Sequence, residues 1–428
     1  MDWLWEQHWF LMHQCLLLPF ALLYLLAAPR HLSLTWRYLY LCLGGCALAV
    51  GTMGVCSLVV FMATLVFTVL VCGVGTGRVH AWVFWVQMLW QTFCHLVLQY
   101  REGDLHKGAS IRLFMAMSSL MLLTQRVTSV SLDLQEGKIR LPRGSAASRI
   151  HFLLSLCSYV LSFTTLLGGP LYPYSQFVRC VEGMGSRPPP RPLPLGVVSV
   201  KVLQVMLLEW VRYGLLRCLE SHAAGGPVGQ CLWVWGLALS LRMRYYSHWR
   251  ISEGLNVAAG FGPRADWPGR RAPDWSGLSD GDPWSTEAST QVSAFARRWN
   301  ATTAAWLRRL VFRRGERCPV LVTFGFSAWW HGLHPGQVVG FLTWAAAVKA
   351  DYGLHRRVGA ALTSRWGKAL YAGLSWAHTQ MVITCVVVLV ESRSVSSLRV
   401  WPSMSVLLFP LFNLALCCCF LLKARVFC

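Results

Sequence analysis

Long apolar stretches alternate with short polar segments along the whole chain. Apolar runs recur at about residues 9–28, 38–56, 57–75, 81–99, 113–124, 150–169, 198–219, 231–246, 319–330, 334–348, 369–390 and 402–422. A helix of about 20 apolar residues is long enough to cross the hydrocarbon core of a bilayer. The pattern therefore predicts an all-α protein, a polytopic bundle of transmembrane helices.

Several apolar runs are too short to cross a bilayer alone, notably 113–124, 319–330 and 334–348. Short segments at membrane depth are tolerated only where protein buries them or where they line a cavity. We expect 319–330 and 334–348 to be helix pieces that meet inside the bundle, with a break at Gly332 and Pro335-Gly336. A catalytic cavity would be built at this break.

Three segments are polar enough to lie outside the hydrocarbon core. Residues 125–149 are basic, residues 182–196 form a proline-rich connector, and residues 262–290 form a polar loop rich in Gly, Pro, Asp and Ser. Because the length of soluble domains is no guide to a membrane bundle, we expect a single domain over 1–428, and we find no internal repeat. The run 9–28 is too long for a cleaved signal peptide and is expected to be an uncleaved anchor, with its N-terminus in the lumen of the endoplasmic reticulum.

The composition strengthens the membrane assignment. Hydrophobic residues make up 55% of the chain and charged residues only 13%, whereas soluble proteins carry about a quarter charged residues. The net charge is +21, because 39 Lys and Arg residues outnumber 18 Asp and Glu residues. The arginines lie between the apolar runs, so we expect contact with membrane lipids or a phosphate-bearing ligand, and no nucleic acid. The cluster Cys417, Cys418 and Cys419 is compatible with palmitoylation or with packing.

His331 lies in an apolar, aromatic stretch, Phe-Ser-Ala-Trp-Trp-His-Gly-Leu-His-Pro-Gly-Gln at 326–337. An ionisable residue is costly inside a membrane and is therefore a functional candidate. Imidazole titrates near neutral pH, and desolvation favours its neutral, basic form, which suits a general base. A structural histidine bonded to a carbonyl is the alternative. His334 can share the face of a continuing helix and assist, whereas His248 and His378 are expected to be packed histidines.

A regular helix over 295–311 would be amphipathic and basic. Its apolar stripe would consist of Phe295, Trp299, Trp306 and Leu310, and its basic face of Arg297, Arg298, Arg308 and Arg309. Asn300 would project near the edge of the apolar face, where its amide can donate to an oxyanion. The arginines would either anchor the helix in lipid headgroups or hold the phosphates of an acyl-CoA. Asn300-Ala301-Thr302 also fits a glycosylation acceptor, but an arginine-rich interfacial helix argues against that use.

The combination of a buried base and an amide donor outlines acyl transfer from a thioester to a hydroxyl. We expect no metal site, because no carboxylate or Cys accompanies His331 and His334 at ligand spacing. A transporter whose histidine relays protons is the alternative class. The inverted repeats of many transporters are not evident in the sequence.

Seven runs of residues resemble one protein family. They are Leu-Leu-Thr-Gln-Arg-Val-Thr-Ser (122–129), Leu-Asp-Leu-Gln-Glu-Gly-Lys (132–138), Tyr-Tyr-Ser-His-Trp (245–249), Ala-Ala-Gly-Phe-Gly-Pro (258–263), Trp-Leu-Arg-Arg-Leu-Val-Phe (306–312), the run 326–337 and Trp-Ala-His-Thr-Gln (376–380). Through them, most of the chain resembles the membrane-bound O-acyltransferase superfamily. The family's histidine falls on His331 and its asparagine on Asn300, whereas residues 187–194 and 264–290 match no family pattern that we can place.

This resemblance implies a bundle of about 11 spans, with short helices around a central tunnel. It implies an enzyme that takes octanoyl-CoA as co-substrate, needs no other cofactor, and esterifies a serine of a secreted peptide hormone. Another secreted protein or a lysophospholipid is the alternative acceptor. Phe324 and Trp344 would line the acyl tunnel, with ordinary packing as the alternative, and the four arginines would serve the CoA phosphates.

Overall fold

The computed structural model describes residues 11–104, 111–142, 145–184, 194–221, 226–262, 278–315, 317–391 and 411–415. Every regular element within these residues is a helix, and none of them forms a strand. The all-α prediction is therefore confirmed. The cluster Cys417–Cys419 and most of the proline-rich connector, residues 185–193, lie outside the described residues.

The chain divides into two compact units. The first unit consists of Met1–Met206 and Ser247–Asp280, and the second of Leu207–Tyr246 and Gly281–Cys428. Two helices, Leu195–Ser221 and Gly226–Ala258, contribute residues to both units. The assignment of the whole chain to a single domain stays a prediction.

Two helices of the first unit begin at serine caps. The unit contains Leu18–Ala27, Leu34–Met53, a 3-10 turn Gly54–Ser57, Leu58–Gly73, Thr76–Asp104, Ile111–Gln135, Ala146–Leu161 and Tyr174–Gly183. Ser33 and Ser145 each accept a hydrogen bond from a backbone N–H in the first turn of the helix that follows. Such caps satisfy N–H groups that have no partner within the helix.

The helix Ile111–Gln135 differs from the prediction in two ways. It is long, so the run 113–124 is not a short piece, and it continues into residues that we expected outside the hydrocarbon core. The side chains of Gln125 and Arg126 are buried. The Arg126 guanidinium donates hydrogen bonds to main-chain carbonyl groups of the first unit. Because buried polar groups are stable when they are hydrogen-bonded, composition alone misplaced this segment.

The second unit is built from shorter helices and two long ones. They are Pro283–Glu287, Val292–Arg298, Ala301–Leu307, a π-helix Arg308–Phe312, Pro319–His331, Pro335–Ala361 and Arg365–Glu391. The expected break after His331 is confirmed, and Pro319–His331 has only 13 residues. The run 334–348, in contrast, is the first part of a 27-residue helix, so our prediction of a second short piece is wrong. The loop expected at 262–290 contains a helical turn at Pro283–Glu287.

Four helical stretches of the described chain are long and apolar enough to cross a membrane. They are Leu34–Gly73, Thr76–Arg101, Ile111–Gln135 and Arg365–Glu391. Two shorter apolar helices are Leu11–Ala27 and Ala146–Leu161. These helices fit a membrane protein, and the larger number of spans implied by the resemblance stays a prediction.

An apolar core holds the second unit together. Its buried members are Val292, Phe295, Val320, Ala345, Ala347, Val348, Val382 and Ile383. They come from Val292–Arg298, Pro319–His331 and the two long helices, so the short helices are fixed against the long ones. This core supports the residues that the sequence nominated for chemistry.

Gly45 marks a close approach between two helices of the first unit. A methyl group at this position of Leu34–Met53 would overlap the carbonyl group of Leu161. We expect Gly45→Ala to destabilise the protein by about 1–3 kcal/mol, because overpacking forces the helices apart. Gly51→Ala is the matched control on the same helix, since an added methyl meets no atom within 4 Å there. Thermal unfolding in detergent should show a lower Tm for the first variant only, and equal Tm values would contradict this packing.

Candidate active site

The helix Pro319–His331 ends in a glycine cap. Gly332 has a φ of 116°, which residues with a β-carbon rarely adopt, and Leu333 follows with a φ of 62°. The N–H of Gly332 donates to the carbonyl of Trp329 at 3.1 Å, and that of Leu333 to the carbonyl of Ala328 at 3.1 Å. The cap satisfies terminal carbonyl groups and leaves His331 as the last residue of the helix.

His334 does not share a helix with His331. It is the residue that precedes Pro335–Ala361, and its side chain is buried with 6% exposure. Our expectation that the two histidines occupy one helical face is therefore wrong, because the backbone reverses through the left-handed region between them. An assisting role of His334 stays a prediction.

Aromatic rings hold the imidazole of His331. Its ring centroid lies 4.7 Å from that of Trp330 and 4.9 Å from that of Phe341. Trp330 and Phe341 are buried, whereas His331 is half-buried. The imidazole is thus positioned at the carboxyl end of a helix, in a residue that is partly exposed.

An aromatic cluster connects His331 with the region of Asn300. We define it as Phe295, Trp299, Phe324, Phe341 and Trp344. The rings of Phe341 and Trp344 are stacked at 6.4 Å, and those of Phe324 and Trp344 lie 5.5 Å apart. Phe295 contacts Trp344 at 6.4 Å and Trp299 at 5.9 Å. The structure therefore brings both nominated tunnel residues, Phe324 and Trp344, into one cluster with a neighbour of His331.

Asn300 follows Trp299 of this cluster and begins a new helix. Its backbone is left-handed, with φ 47° and ψ 66°, a conformation that Asn tolerates better than most residues. Its Oδ1 accepts a hydrogen bond from the N–H of Thr303 at 3.2 Å and caps the helix Ala301–Leu307. The cap uses the carbonyl side of the amide, so the Nδ2 donors are not part of it.

The continuous helix predicted over 295–311 is therefore wrong. The positive φ of Asn300 separates Val292–Arg298 from Ala301–Leu307, and a π-helix follows at Arg308–Phe312. The expected apolar residues Phe295, Trp306 and Leu310 are nevertheless buried. Their burial is achieved on three elements instead of one.

The four nominated arginines lie on two elements. Arg297 and Arg298 end the helix Val292–Arg298, and Arg308 and Arg309 begin the π-helix. Arg297, Arg298 and Arg308 are exposed, and Arg309 is half-buried. A single basic helical face is therefore absent from this region, and phosphate binding by these residues stays a prediction.

Two of these arginines already hold neighbouring segments. Nη1 of Arg298 donates to the carbonyl of Ser285 at 2.7 Å and to the hydroxyl of Ser289 at 3.1 Å. Nη1 of Arg297 donates to the hydroxyl of Tyr352 at 3.0 Å. Arg298 in particular connects the residues in and just after Pro283–Glu287 with the residues before Asn300.

An ion pair between a buried arginine and a half-buried glutamate lies in the same unit, and we did not predict it from the sequence. Arg242 is fully buried, and its Nε and Nη2 donate to the two carboxylate oxygens of Glu287 at 2.8 and 3.1 Å. Tyr246 and Gln380 also donate to this carboxylate. Arg242 lies in the apolar run 231–246, so the rule that nominated His331, an ionisable residue among apolar ones, could have nominated it too. No sequence signal distinguishes Phe341 from other phenylalanines.

The other histidines considered from the sequence are hydrogen-bonded within their own units. Nδ1 of His248 lies 3.1 Å from Oε1 of Gln14, and Nε2 of His378 lies 2.9 Å from Nδ2 of Asn413. Both agree with the expectation of packed histidines. Within the described ranges, no three His, Cys, Asp or Glu side chains are grouped so that they could hold a metal ion.

Comparison with known proteins places the chain in a family. Residues 79–390 match the sequence profile of the membrane-bound O-acyltransferase family. The match covers more than half of the chain, and the chain belongs to this family of membrane-embedded acyltransferases. The transporter alternative is therefore not supported.

Individual relatives narrow the comparison. The chain is 41% identical over 412 residues to the membrane-bound ghrelin O-acyltransferase of Rattus norvegicus and 42% identical over 413 residues to that of Mus musculus. Each alignment covers 93% of this chain and 93% of the relative. The chain is also 27% identical to the membrane-bound glycerophospholipid O-acyltransferase 1 of Homo sapiens, over 77% of this chain and 72% of that protein.

Substitutions of Asn300 separate its backbone role from its side-chain role. Asn300→Ala loses the cap, at a cost of about 1 kcal/mol, and replaces Asn, which tolerates the left-handed region, by a residue that does not, at a further cost of about 1–2 kcal/mol. Asn300→Gly loses only the cap, and Asn300→Asp retains the acceptor. We expect the Tm to fall in the order Asp, Gly, Ala. An alanine variant as stable as the aspartate variant would contradict this local structure.

Proposed function

We propose that this chain transfers an octanoyl group from octanoyl-CoA to a serine hydroxyl of ghrelin, in the endoplasmic reticulum membrane. One observation carries the proposal: two ghrelin O-acyltransferases are 41% and 42% identical to the chain over 93% of its length. CoA is cytosolic and a secreted peptide is lumenal, so the thioester and the hydroxyl meet within the protein.

In the proposed reaction, His331 is the general base. It takes the proton of the serine hydroxyl while the oxygen attacks the thioester carbonyl carbon and forms the C–O bond. The C–S bond then breaks, and the departing thiolate takes the proton from the imidazolium, so that the products are the ester and free CoA thiol. The position of His331 at the carboxyl end of a helix supports this role, because the helix dipole stabilises the transient imidazolium.

Asn300 is proposed to donate a hydrogen bond from Nδ2 to the oxyanion that forms at the carbonyl. The cap to Thr303 supports this role, because it fixes Oδ1 and thereby the direction of the two Nδ2 donors. Preorganised donors are effective because they need no reorientation in the transition state, and one is worth about 10²–10³ in rate.

The acyl chain is proposed to lie against the aromatic cluster. Phe324 and Trp344 contact each other, and Phe341 connects Trp344 with His331. This arrangement supports an apolar tunnel that ends near the base. Arg297, Arg298, Arg308 and Arg309 are proposed to meet the CoA phosphates, and His334 to assist at the thioester.

A second candidate acceptor is a lysophospholipid. The glycerophospholipid O-acyltransferase 1 of Homo sapiens aligns with 77% of this chain at 27% identity. The chemistry at the carbonyl carbon is the same for both acceptors, because each presents a hydroxyl. The chain is less similar to this lipid acyltransferase than to the two ghrelin O-acyltransferases, which favours the peptide as the acceptor.

The proposal predicts that microsomes containing this chain esterify a ghrelin-type peptide with labelled octanoyl-CoA. At matched expression, His331→Ala should lower the rate by about 10²–10⁴, because the base is lost. Asn300→Asp should lower it by about 10²–10³, because the helix cap survives but the oxyanion donor is replaced by a charge. A peptide with Ala in place of the acceptor Ser should remain unlabelled.

Each outcome has a definite meaning. Labelling of an added lysolipid in place of the peptide would overturn the peptide assignment and leave acyl transfer intact. Full activity of His331→Ala would show that this histidine is structural and would overturn its role as the base.

The tunnel assignment predicts a change of acyl-length preference. Trp344→Ala removes a large ring from the aromatic cluster, so longer acyl-CoA substrates should be used better relative to octanoyl-CoA. A shift of about tenfold is expected, since one methylene in an apolar pocket is worth about 1–3 kcal/mol. Trp366→Ala is the control, because Trp366 is 87% exposed. Unchanged preference in both variants would argue for ordinary packing of Trp344.

A further inference from the structure

Two adjacent tyrosines contact the tryptophan that precedes Asn300. The ring of Tyr245 lies 5.6 Å from that of Trp299, and the ring of Tyr246 lies 5.5 Å from it. Both pairs meet edge to face, at interplanar angles of 73° and 67°. Tyr245 and Tyr246 begin the run 245–249, which has no role in the chemistry proposed above.

The hydroxyl groups of the two tyrosines have different partners. The hydroxyl of Tyr246 donates to Oε1 of Glu287 at 2.7 Å, whereas that of Tyr245 donates to Oε1 of Glu391 at 2.6 Å. Glu287 ends the short helix Pro283–Glu287, while Glu391 ends the long helix Arg365–Glu391. Tyr245 and Tyr246 thus both contact Trp299 but donate hydrogen bonds to different carboxylates.

Glu287 is firmly fixed. Besides the ion pair with Arg242, its main-chain carbonyl accepts hydrogen bonds from Nε2 of Gln380 and Nε1 of Trp376, each at 2.9 Å. Nη2 of Arg242 also donates to Oε1 of Gln380 at 3.0 Å. Because removing one partner of a buried ion pair leaves an uncompensated charge, such an anchor resists displacement.

The segment between Glu287 and Asn300 is tied to this anchor. Arg298 donates to the carbonyl of Ser285 and to the hydroxyl of Ser289. A methyl group at Gly281 would lie 2.6 Å from the carbonyl oxygen of Arg298, so the chain just before Pro283–Glu287 is in contact with the end of Val292–Arg298. Oδ2 of Asp351 accepts a hydrogen bond from the N–H of Ser293 at 3.1 Å and fixes the middle.

We infer that Tyr246 is a positioning residue for Asn300. Its hydroxyl is held by the fixed carboxylate of Glu287, and its ring holds Trp299. Trp299 is extended, with φ −67° and ψ 116°, so its placement determines where the left-handed Asn300 directs its amide. This inference rests on the proposed role of Asn300 as the oxyanion donor.

The test compares Tyr246→Phe with Tyr245→Phe in acyl transfer. Each variant keeps a ring against Trp299 and loses one hydroxyl bond to a carboxylate. We expect kcat to fall about tenfold or more in Tyr246→Phe, because a small misplacement of a reacting group is costly. Its KM for octanoyl-CoA should stay within about twofold, because oxyanion stabilisation acts in the transition state. Tyr245→Phe should retain kcat within about twofold, since its hydroxyl bond does not reach the segment before Asn300.

A double variant separates positioning from general damage. In an Asn300→Asp background the donor is already absent, so Tyr246→Phe should cause no further loss of kcat. If the two substitutions acted independently, their fold losses of kcat would multiply. Tm values of both tyrosine variants are measured in parallel. The inference would be overturned by an equal loss of kcat in the two single variants, or by an unchanged kcat in Tyr246→Phe. It would also be overturned by an effect on KM alone, or by a double variant in which the two losses of kcat multiply.

The experiment also distinguishes this inference from the proposed function. Both a ghrelin-type peptide and a lysolipid are supplied as acceptors, and the variants are compared with the acceptor that the wild type uses. Transfer to the lysolipid alone would remove the peptide assignment and still test Tyr246. Absence of transfer to either acceptor would overturn both.

Discussion

A helix that ends among apolar residues must still satisfy its terminal backbone groups, and this constraint shapes the second unit. After His331, the N–H groups of Gly332 and Leu333 fold back onto carbonyl groups of the helix. At Asn300 the side chain itself accepts an N–H of the helix that follows. The backbone caps that stabilise these helix ends therefore also place His331 and Asn300 there. At a helix end, no further helical turn encloses the side chain.

In both units, buried charged side chains form ion pairs. In the first unit, Glu253 pairs with Lys201 at 2.7 Å and with Arg250 at 2.8 Å. In the second unit, Arg242 and Glu287 share a bidentate pair. Ion pairs of this kind add little net stability, but their geometry is well defined. A carboxylate with a well-defined position can fix the irregular backbone around Asn300, the proposed oxyanion donor.

The sequence predicted those features that depend on local chemistry. The sequence predicted His331 as a functional candidate because an ionisable residue is rare in an apolar, aromatic run. It predicted the helix break at Gly332 because glycine followed by proline commonly ends a helix. The break at Asn300 was missed because apolar positions continue past it at helical spacing, so the periodicity favoured one helix. Arg126 was misplaced because its acceptors lie 34 and 39 residues away in the chain, and such partners cannot be read from one sequence.

The length of Pro319–His331 has a consequence for membrane permeability. Its 13 residues rise about 20 Å, whereas the hydrocarbon core is about 30 Å thick. Under the proposed function, the base His331 needs a passage for polar substrates from outside, and an open aqueous passage through the bilayer would also conduct protons and metal cations. The packed rings around Trp344 present a low dielectric to such ions. Under the proposed function, these rings would therefore limit ion leakage as well as line the acyl chain.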